Sequence, residues 1–127
     1  MSKTFVLALL TLAVCPALYA GTTDGNELLN DCRQYSKPES ASAPDDAFSL
    51  GFCLAYVAGG KDALQAQQVM GDAKGGGIHA CFPEDGITNN QAVLIVIKWL
   101  KDNPGMLHLP AVVLVTGALA QDFPCKH

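Results

Sequence analysis

The residues of this sequence with the most reactive side chains are its five cysteines and three histidines. A free thiol beside a histidine could act as a nucleophile, and clusters of the two residue types could bind zinc. His79 lies two residues before Cys81, but no second cluster has the spacing of zinc ligands. His108 is interpreted as a hairpin residue, and His127 is terminal. We therefore predict no catalytic residue, no metal site, no cofactor and no enzyme.

The N-terminal segment predicts the compartment in which the cysteines react. Lys3 gives a positive start, residues 5–15 are apolar apart from one threonine, and small residues follow. This pattern is typical of a secretory signal peptide, and the run is too short to span a bilayer. We predict a signal peptide over residues 1–20 with cleavage after Ala20, and Ala17 is a competing site.

Removal of the leader leaves an even number of cysteines in an oxidising compartment, which predicts disulfides. A lipoprotein signal ending at Cys15 is the alternative, but Val14 is larger than the residue that such a signal favours. The mature chain, residues 21–127, has a length that suits a single domain with one core. Its cysteines are Cys32, Cys53, Cys81 and Cys125.

The charge balance limits the classes of partner. Of eight basic residues, Lys3 lies in the leader, which leaves seven basic against twelve acidic residues, and Arg33 is the only arginine. This balance disfavours a nucleic acid and favours a partner with a cationic surface. The apolar runs Ala92–Leu100 and Ala111–Ala120 are about half the length of a membrane span, so the mature protein is not expected to enter a membrane.

Two helices are predicted in the first half of the mature chain. Asn26–Tyr35 has an apolar face at spacings of three and four residues, with Asp24 as its N-cap. The second helix is predicted to begin at Asp45-Asp46 and is apolar nearly all round, which indicates a central, buried helix. Gly59-Gly60 is expected to end or bend it before Lys61–Met70 resumes as helix. Loops are predicted at Ser36–Ala43 and Gly71–Gly77.

Two further helices are predicted in the second half. Thr88 followed three residues later by Gln91 fits a capping box, and Asn103-Pro104 ends the apolar run that follows. Pro110 suits the first position of a fourth helix that extends to Leu119. Both runs are rich in β-branched residues, so strands are the alternative, but the caps and the lengths favour helices.

These elements predict an all-α domain of four to five helices with two disulfides. Four cysteines allow three pairings. If the third and fourth helices form an antiparallel hairpin, Cys81 and Cys125 lie at the same end and could pair. By the same geometry, Cys32 in the first helix and Cys53 in the second could meet if these two helices also form a hairpin. Each bond would stabilise the fold by roughly 3 to 4 kcal/mol.

Five short motifs follow one another along the mature chain: Gly51–Gly59 (GFCLAYVAG), Cys81–Thr88 (CFPEDGIT) followed by Gln91, Trp99–Pro104 (WLKDNP), His108–Ala111 (HLPA) and Phe123–Cys125 (FPC). With their cysteines, they resemble the Rap/Tai family of periplasmic immunity proteins over nearly all of the mature chain. The resemblance implies a small, often homodimeric helical protein. It also implies a periplasmic inhibitor that binds a peptidoglycan amidase of type VI secretion, an enzyme of the NlpC/P60 type with a cysteine nucleophile.

An amidase inhibitor must deny the substrate access to a cleft, and a rigid inserted loop loses little entropy on binding. Two loops meet this requirement. We name residues 83–86 the acidic turn, which lies between a cysteine and a helix cap. We name residues 102–108 the hairpin tip, in which an apolar methionine has polar neighbours. The predicted partner-binding residues are Glu84, Asp85, Asp102, Pro104, Gly105, Met106 and His108.

A periplasmic acid-stress chaperone is the alternative function. A small acidic helical protein with disulfides could unfold or dissociate at low pH and expose apolar surface. Three histidines and twelve carboxylates would supply the titrating groups.

Overall fold

The computed structural model describes residues 22–37, 44–71 and 77–126. The predicted signal peptide, part of the first predicted loop and most of the glycine-rich loop lie outside these residues. The helices are α1 (Gly25–Asp31), α2 (Pro44–Met70), α3 (Asn89–Asp102) and α4 (Ala111–Asp122), with short 3-10 helices at Cys32–Ser36 and Pro104–Met106. Nowhere in the described ranges does a strand occur, so the prediction of an all-α fold, with helices rather than strands in the second half, is confirmed.

Local sequence signals set the starts of three helices. The carboxylate of Asp24 accepts a hydrogen bond from the backbone N–H of Glu27 at 2.9 Å, and the hydroxyl of Thr88 accepts one from Gln91 N–H at 3.1 Å. Both residues are therefore the N-caps that the sequence predicts. Pro110 is the cap of α4 rather than its first helical residue, a difference of one position.

Gly59-Gly60 was expected to end or bend the second helix. α2 is one continuous helix of 27 residues, so the glycine pair does not end it. The reason is tertiary packing. A Cβ atom on Gly60 would lie 2.6 Å from Cγ1 of Val115 in α4. Gly60 therefore allows α2 and α4 to approach each other closely, while the helix continues through the glycine pair.

The core lies between the four helices, and each helix contributes at least one fully buried side chain: Leu28, Val57, Leu100 and Leu119. In the part of the chain that the structure describes, no polar or charged side chain is buried. α2 buries only one side, at Cys53, Val57 and Leu64, and Phe48 is 74% exposed. α2 is central, as predicted, because it packs against each of the other helices. The prediction that it is buried is wrong, because the other helices cover only one of its faces.

Both disulfides have the pairing that the hairpin geometry allowed. Cys32 and Cys53 are joined with an S–S distance of 2.10 Å, and this bond is fully buried between the first 3-10 helix and α2. Cys81 and Cys125 are joined at 1.99 Å and link the segment before α3 to the segment after α4. The second bond closes the open end of the α3–α4 hairpin, and the hairpin tip lies at the other end.

Candidate partner-binding site

The hairpin tip connects α3 to α4 through a short 3-10 helix. Met106 N–H donates to the carbonyl of Asn103 at 3.0 Å and closes the turn. The side chain of Met106 is 42% exposed although it is apolar. Five of the predicted residues are exposed in this one segment: Asp102, Pro104, Gly105, Met106 and His108.

The base of the hairpin tip is fixed by the start of α1. The N–H groups of Gly25 and Asn26 donate to the carbonyls of Leu109 and Leu107, each at 3.1 Å. The side-chain amide of Asn26 donates to the same Leu107 oxygen, also at 3.1 Å. The first amides of a helix have no partner within their own helix, so these bonds satisfy them. The sequence did not predict this contact, because it joins residues about 80 positions apart.

Asp102, at the start of the hairpin tip, is already engaged within the protein. Lys98 Nζ donates to its carboxylate at 2.6 Å, one turn earlier on α3. This hydrogen bond and the charge of Asp102 raise the pKa of Lys98 above its usual value. Both side chains are exposed, so the pair adds little stability, but a partner must compete with Lys98 for the carboxylate.

The acidic turn is short and closed. Gly86 N–H donates to the carbonyl of Pro83 at 2.7 Å, and Gly86 has a φ of 72°, which favours glycine. Glu84 and Asp85 occupy the two middle positions and are exposed. The two carboxylates are therefore presented to solvent by a constrained backbone.

Phe82, directly before the acidic turn, anchors it to the core. Its ring is buried and meets the ring of Phe123 edge to face, with centroids 5.2 Å apart. The side-chain amide of Gln68 both donates to the carbonyl of Phe82 and accepts from its N–H, at 3.1 Å in each case. Cys81 N–H donates to the carbonyl of Phe123 at 2.8 Å. Sequence reasoning identified the disulfide as an anchor and missed Gln68, whose role depends on the position of α2.

α3 separates the two predicted loops. The acidic turn precedes its N-terminus and the hairpin tip follows its C-terminus. At 1.5 Å per residue, the 14 residues of α3 span about 21 Å. The predicted partner-binding residues therefore form two separate groups, and Glu84 and Asp85 do not lie beside Met106.

α2 carries an apolar face, exposed at Phe48 and half-buried at Phe52 and Tyr56, that was not predicted from the sequence. Phe48, Phe52 and Tyr56 follow one another at spacings of four, with ring centroids 6.4 and 5.6 Å apart. The same side of the helix continues with the exposed small residues Gly59 and Ala63. We name these five residues the uncharged face of α2, since no charged residue occurs from Phe48 to Gly60. The apolar run was visible in the sequence, but the side left uncovered depends on tertiary packing.

α4 borders this uncharged face. Burial raises the pKa of the Tyr56 hydroxyl, and its hydrogen bond to the backbone of Val112 partly offsets that effect. Val112 is 51% exposed, and α4 carries no charged residue from Ala111 to Gln121. The apolar surface therefore extends across both helices.

The four cysteines of the described ranges are paired with one another. Cys32, Cys53, Cys81 and Cys125 are oxidised, so none offers a thiol. Among the residues described, no three His, Cys, Asp or Glu side chains are grouped as metal ligands would be. Likewise, no helix there has the length and hydropathy to cross a membrane.

Comparison with known proteins gives one match. The family model described as Rap1a immunity proteins matches residues 24–125, which extend from the N-cap of α1 to the last cysteine. No curated protein and no solved structure matches the chain significantly.

Proposed function

Because the chain belongs to the Rap1a immunity proteins, we propose that it binds and inhibits a peptidoglycan amidase delivered by type VI secretion, an enzyme of the NlpC/P60 type with a cysteine nucleophile. Membership in the family implies a cognate effector as the partner, and it favours this function over that of an acid-stress chaperone. The protein acts stoichiometrically in the periplasm and without chemistry of its own. The two disulfides support an oxidising compartment.

The hairpin tip is the element that enters the amidase cleft. The observation that carries this proposal is an exposed apolar side chain, Met106, on a loop whose base is hydrogen-bonded to α1. Such a loop is already ordered before binding, so little conformational entropy is lost. Methionine adapts its shape to an irregular pocket, which suits contact with the wall of a cleft.

The acidic turn makes a separate contact. Since about 21 Å of helix lies between the two loops, one narrow cleft admits only one of them. Glu84 and Asp85 therefore contact the effector outside its cleft, where their charges select for a cationic surface and fix the orientation of the complex.

The uncharged face of α2 is the proposed homodimer interface. It combines large side chains at Phe48 and Phe52 with small residues at Gly59 and Ala63. An antiparallel pairing of two copies of α2 places the aromatic rings of one copy over the small residues of the other. Such a contact is self-complementary, as a two-fold interface requires. Phe48→Glu should give a monomer with unchanged helix content in sedimentation measurements, and a dimer that persists would place the interface elsewhere.

The inhibition is tested with the amidase encoded by the gene next to that of this chain. The wild-type protein should abolish its hydrolysis of peptidoglycan at a one-to-one ratio. Met106→Asp should weaken binding by at least tenfold, because a charge is then buried in the cleft. Val69→Asp is the matched control, since Val69 is 80% exposed on α2 and lies outside both loops. It should bind as the wild type does.

Three results would count against the proposal. Active amidase in the presence of excess wild-type protein would overturn the inhibition itself. Tight binding of Met106→Asp would remove the hairpin tip from the interface. Equal losses in Met106→Asp and Val69→Asp would show a general effect of added negative charge rather than a specific contact.

A further inference from the structure

A groove with a basic rim lies between the first 3-10 helix and α3. Its volume is about 320 Å³. The floor is apolar and includes Cys32, which is fully buried, and Ile97, which is 5% exposed. Arg33 and Lys37 on the 3-10 side and Lys101 on α3 supply the charged part of the lining, and none of the described residues that line the groove is acidic. We name this feature the basic groove.

The basic groove is a local exception to the charge of the protein, whose formal net charge is −4. The described residues include six lysines and arginines. Three of them line the groove, namely Arg33, Lys37 and Lys101, and the other three, Lys61, Lys98 and Lys126, lie elsewhere. Lys61 and Lys98 are in salt bridges with neighbouring aspartates. Within residues 22–37, 44–71 and 77–126, Arg33 and Lys101 take part in no salt bridge. Their charges are therefore not neutralised by the fold.

We propose that the basic groove binds an acidic segment on the surface of the effector, a proposal that rests on the function proposed above. Arginine binds carboxylates through two parallel hydrogen bonds, and this geometry gives specificity as well as affinity. The apolar floor accommodates the aliphatic part of a glutamate or a neighbouring apolar side chain. A cavity of this size holds one or two side chains, which fits a short loop of a protein partner.

The position of the basic groove supports the same partner. Lys101 directly precedes Asp102, the first residue of the hairpin tip, so the groove and the tip both lie towards the C-terminal end of α3. We expect an effector that takes the tip into its cleft to reach the groove as well. The acidic turn lies about 21 Å away at the other end of α3. The proposed contacts thus change from basic to acidic along α3, which fixes the orientation of the bound effector.

The basic groove changes an expectation drawn from composition. The excess of acidic residues favoured a partner with a cationic surface. Arg33 and Lys101 are 68 positions apart in the sequence, and only the packing of the 3-10 helix on α3 brings them to one groove. The partner surface is therefore expected to carry carboxylates opposite Lys101 and cationic groups opposite the acidic turn.

Charge reversal tests the basic groove. Arg33→Glu and Lys101→Glu are made singly and together, and binding to the amidase encoded by the neighbouring gene is measured at low and high salt. The double variant should lose affinity by at least tenfold, mainly through a lower association rate, and its affinity should fall less with added salt. Lys126→Glu is the matched control for each single variant, because it makes the same charge change beside Cys125, at the far end of α3. It should stay within about twofold of the wild type.

A second measurement identifies the contact directly. A carbodiimide joins a lysine amine to a carboxylate without a spacer, and so links only groups in contact. In the wild-type complex, peptide mapping should find Lys101 joined to an aspartate or glutamate of the amidase. The Lys101→Arg variant should retain affinity and lose this crosslink.

Each outcome has a distinct meaning. If the wild-type protein does not bind the amidase, the proposed function fails. If the wild type binds and the double variant binds equally well, the basic groove is not part of the interface. Equal losses in the single variants and in Lys126→Glu would also overturn the proposal, because they would indicate net charge alone. Thermal melting checks the fold, and Arg33→Gln, which should bind with intermediate affinity, keeps the test decisive if the double variant unfolds.

Discussion

Gly25→Ala is the substitution that tests most directly how the hairpin tip is held. A Cβ atom at Gly25 would lie 2.9 Å from both Cα and the carbonyl oxygen of Leu107, and it would also collide with Cδ1 of Leu114. The side chain of Leu114 can rotate, but the backbone of Leu107 can move only if the base of the tip moves. Ordinary contacts begin near 3.4 Å, so α1 and the tip must separate by about half an ångström.

The expected cost follows from this overlap. Overpacking a tight site costs roughly 1 to 3 kcal/mol, and the higher helix propensity of alanine returns up to about 1 kcal/mol. Gly25→Ala should therefore lower the free energy of unfolding by about 1 to 2 kcal/mol, which for a domain of this size lowers Tm by several degrees. Gly51→Ala is the matched control, because Gly51 lies inside α2 and a Cβ there meets nothing within 4 Å. It should raise stability by about 0.5 to 1 kcal/mol.

Urea unfolding of both variants measures the two effects, which are expected to have opposite signs. Affinity for the amidase provides a second measurement. Gly25→Ala should weaken binding although Gly25 is buried, because the tip is displaced, and Gly51→Ala should leave binding unchanged. A Gly25→Ala protein as stable as the wild type would show that α1 and the base of the tip are not in close contact.

Three further predictions concern the covalent links, the helix caps and the surface charge. Replacing both Cys81 and Cys125 by alanine opens a loop of 44 residues and should lower the unfolding free energy by about 4 kcal/mol in chemical denaturation. Thr88→Ala should cost about 1 kcal/mol in the same assay, while Thr88→Ser should cost little, since the hydroxyl still accepts from the backbone. Asp102→Asn should return the pKa of Lys98 towards its usual value in an NMR titration. Because that pKa is raised in the folded protein, any stability from the pair is present at neutral pH and is lost only as the pH rises through the folded pKa of Lys98. An unchanged pKa of Lys98 in Asp102→Asn would show that the two side chains do not interact in solution.

Features that depend on neighbours in sequence could be predicted. Three helix starts were predicted from short-range contacts, at Asp24, Thr88 and Pro110. In each case the predicted position agrees with the observed helix start to within one residue. The disulfide pairing followed from helix order, because an antiparallel hairpin places its two outer ends together. The distance between the acidic turn and the hairpin tip likewise follows from the length of α3 alone, because the two loops flank that helix.

Features that depend on distant parts of the chain could not be predicted. Gly59-Gly60 was expected to end or bend a helix because glycine is a weak helix former. Instead the helix continues, and the missing side chain of Gly60 allows Val115 to pack closely against α2. α2 was expected to be buried because it is apolar nearly all round, but Phe48 is exposed, because the side of α2 that the other helices cover is not determined by the local sequence. The contact of Asn26 with Leu107 and the groove between Arg33 and Lys101 likewise arise only when the helices pack.

The order of the two disulfides along the chain bears on how the protein acquires its bonds. Cys32 pairs with Cys53, and Cys81 with Cys125, so the two covalent loops neither overlap nor enclose each other. In a chain that emerges into an oxidising space from its N-terminus, each cysteine pairs natively with the next one to appear. Oxidation in order of emergence therefore produces the native bonds without rearrangement, and the first half can be locked before the second half has arrived.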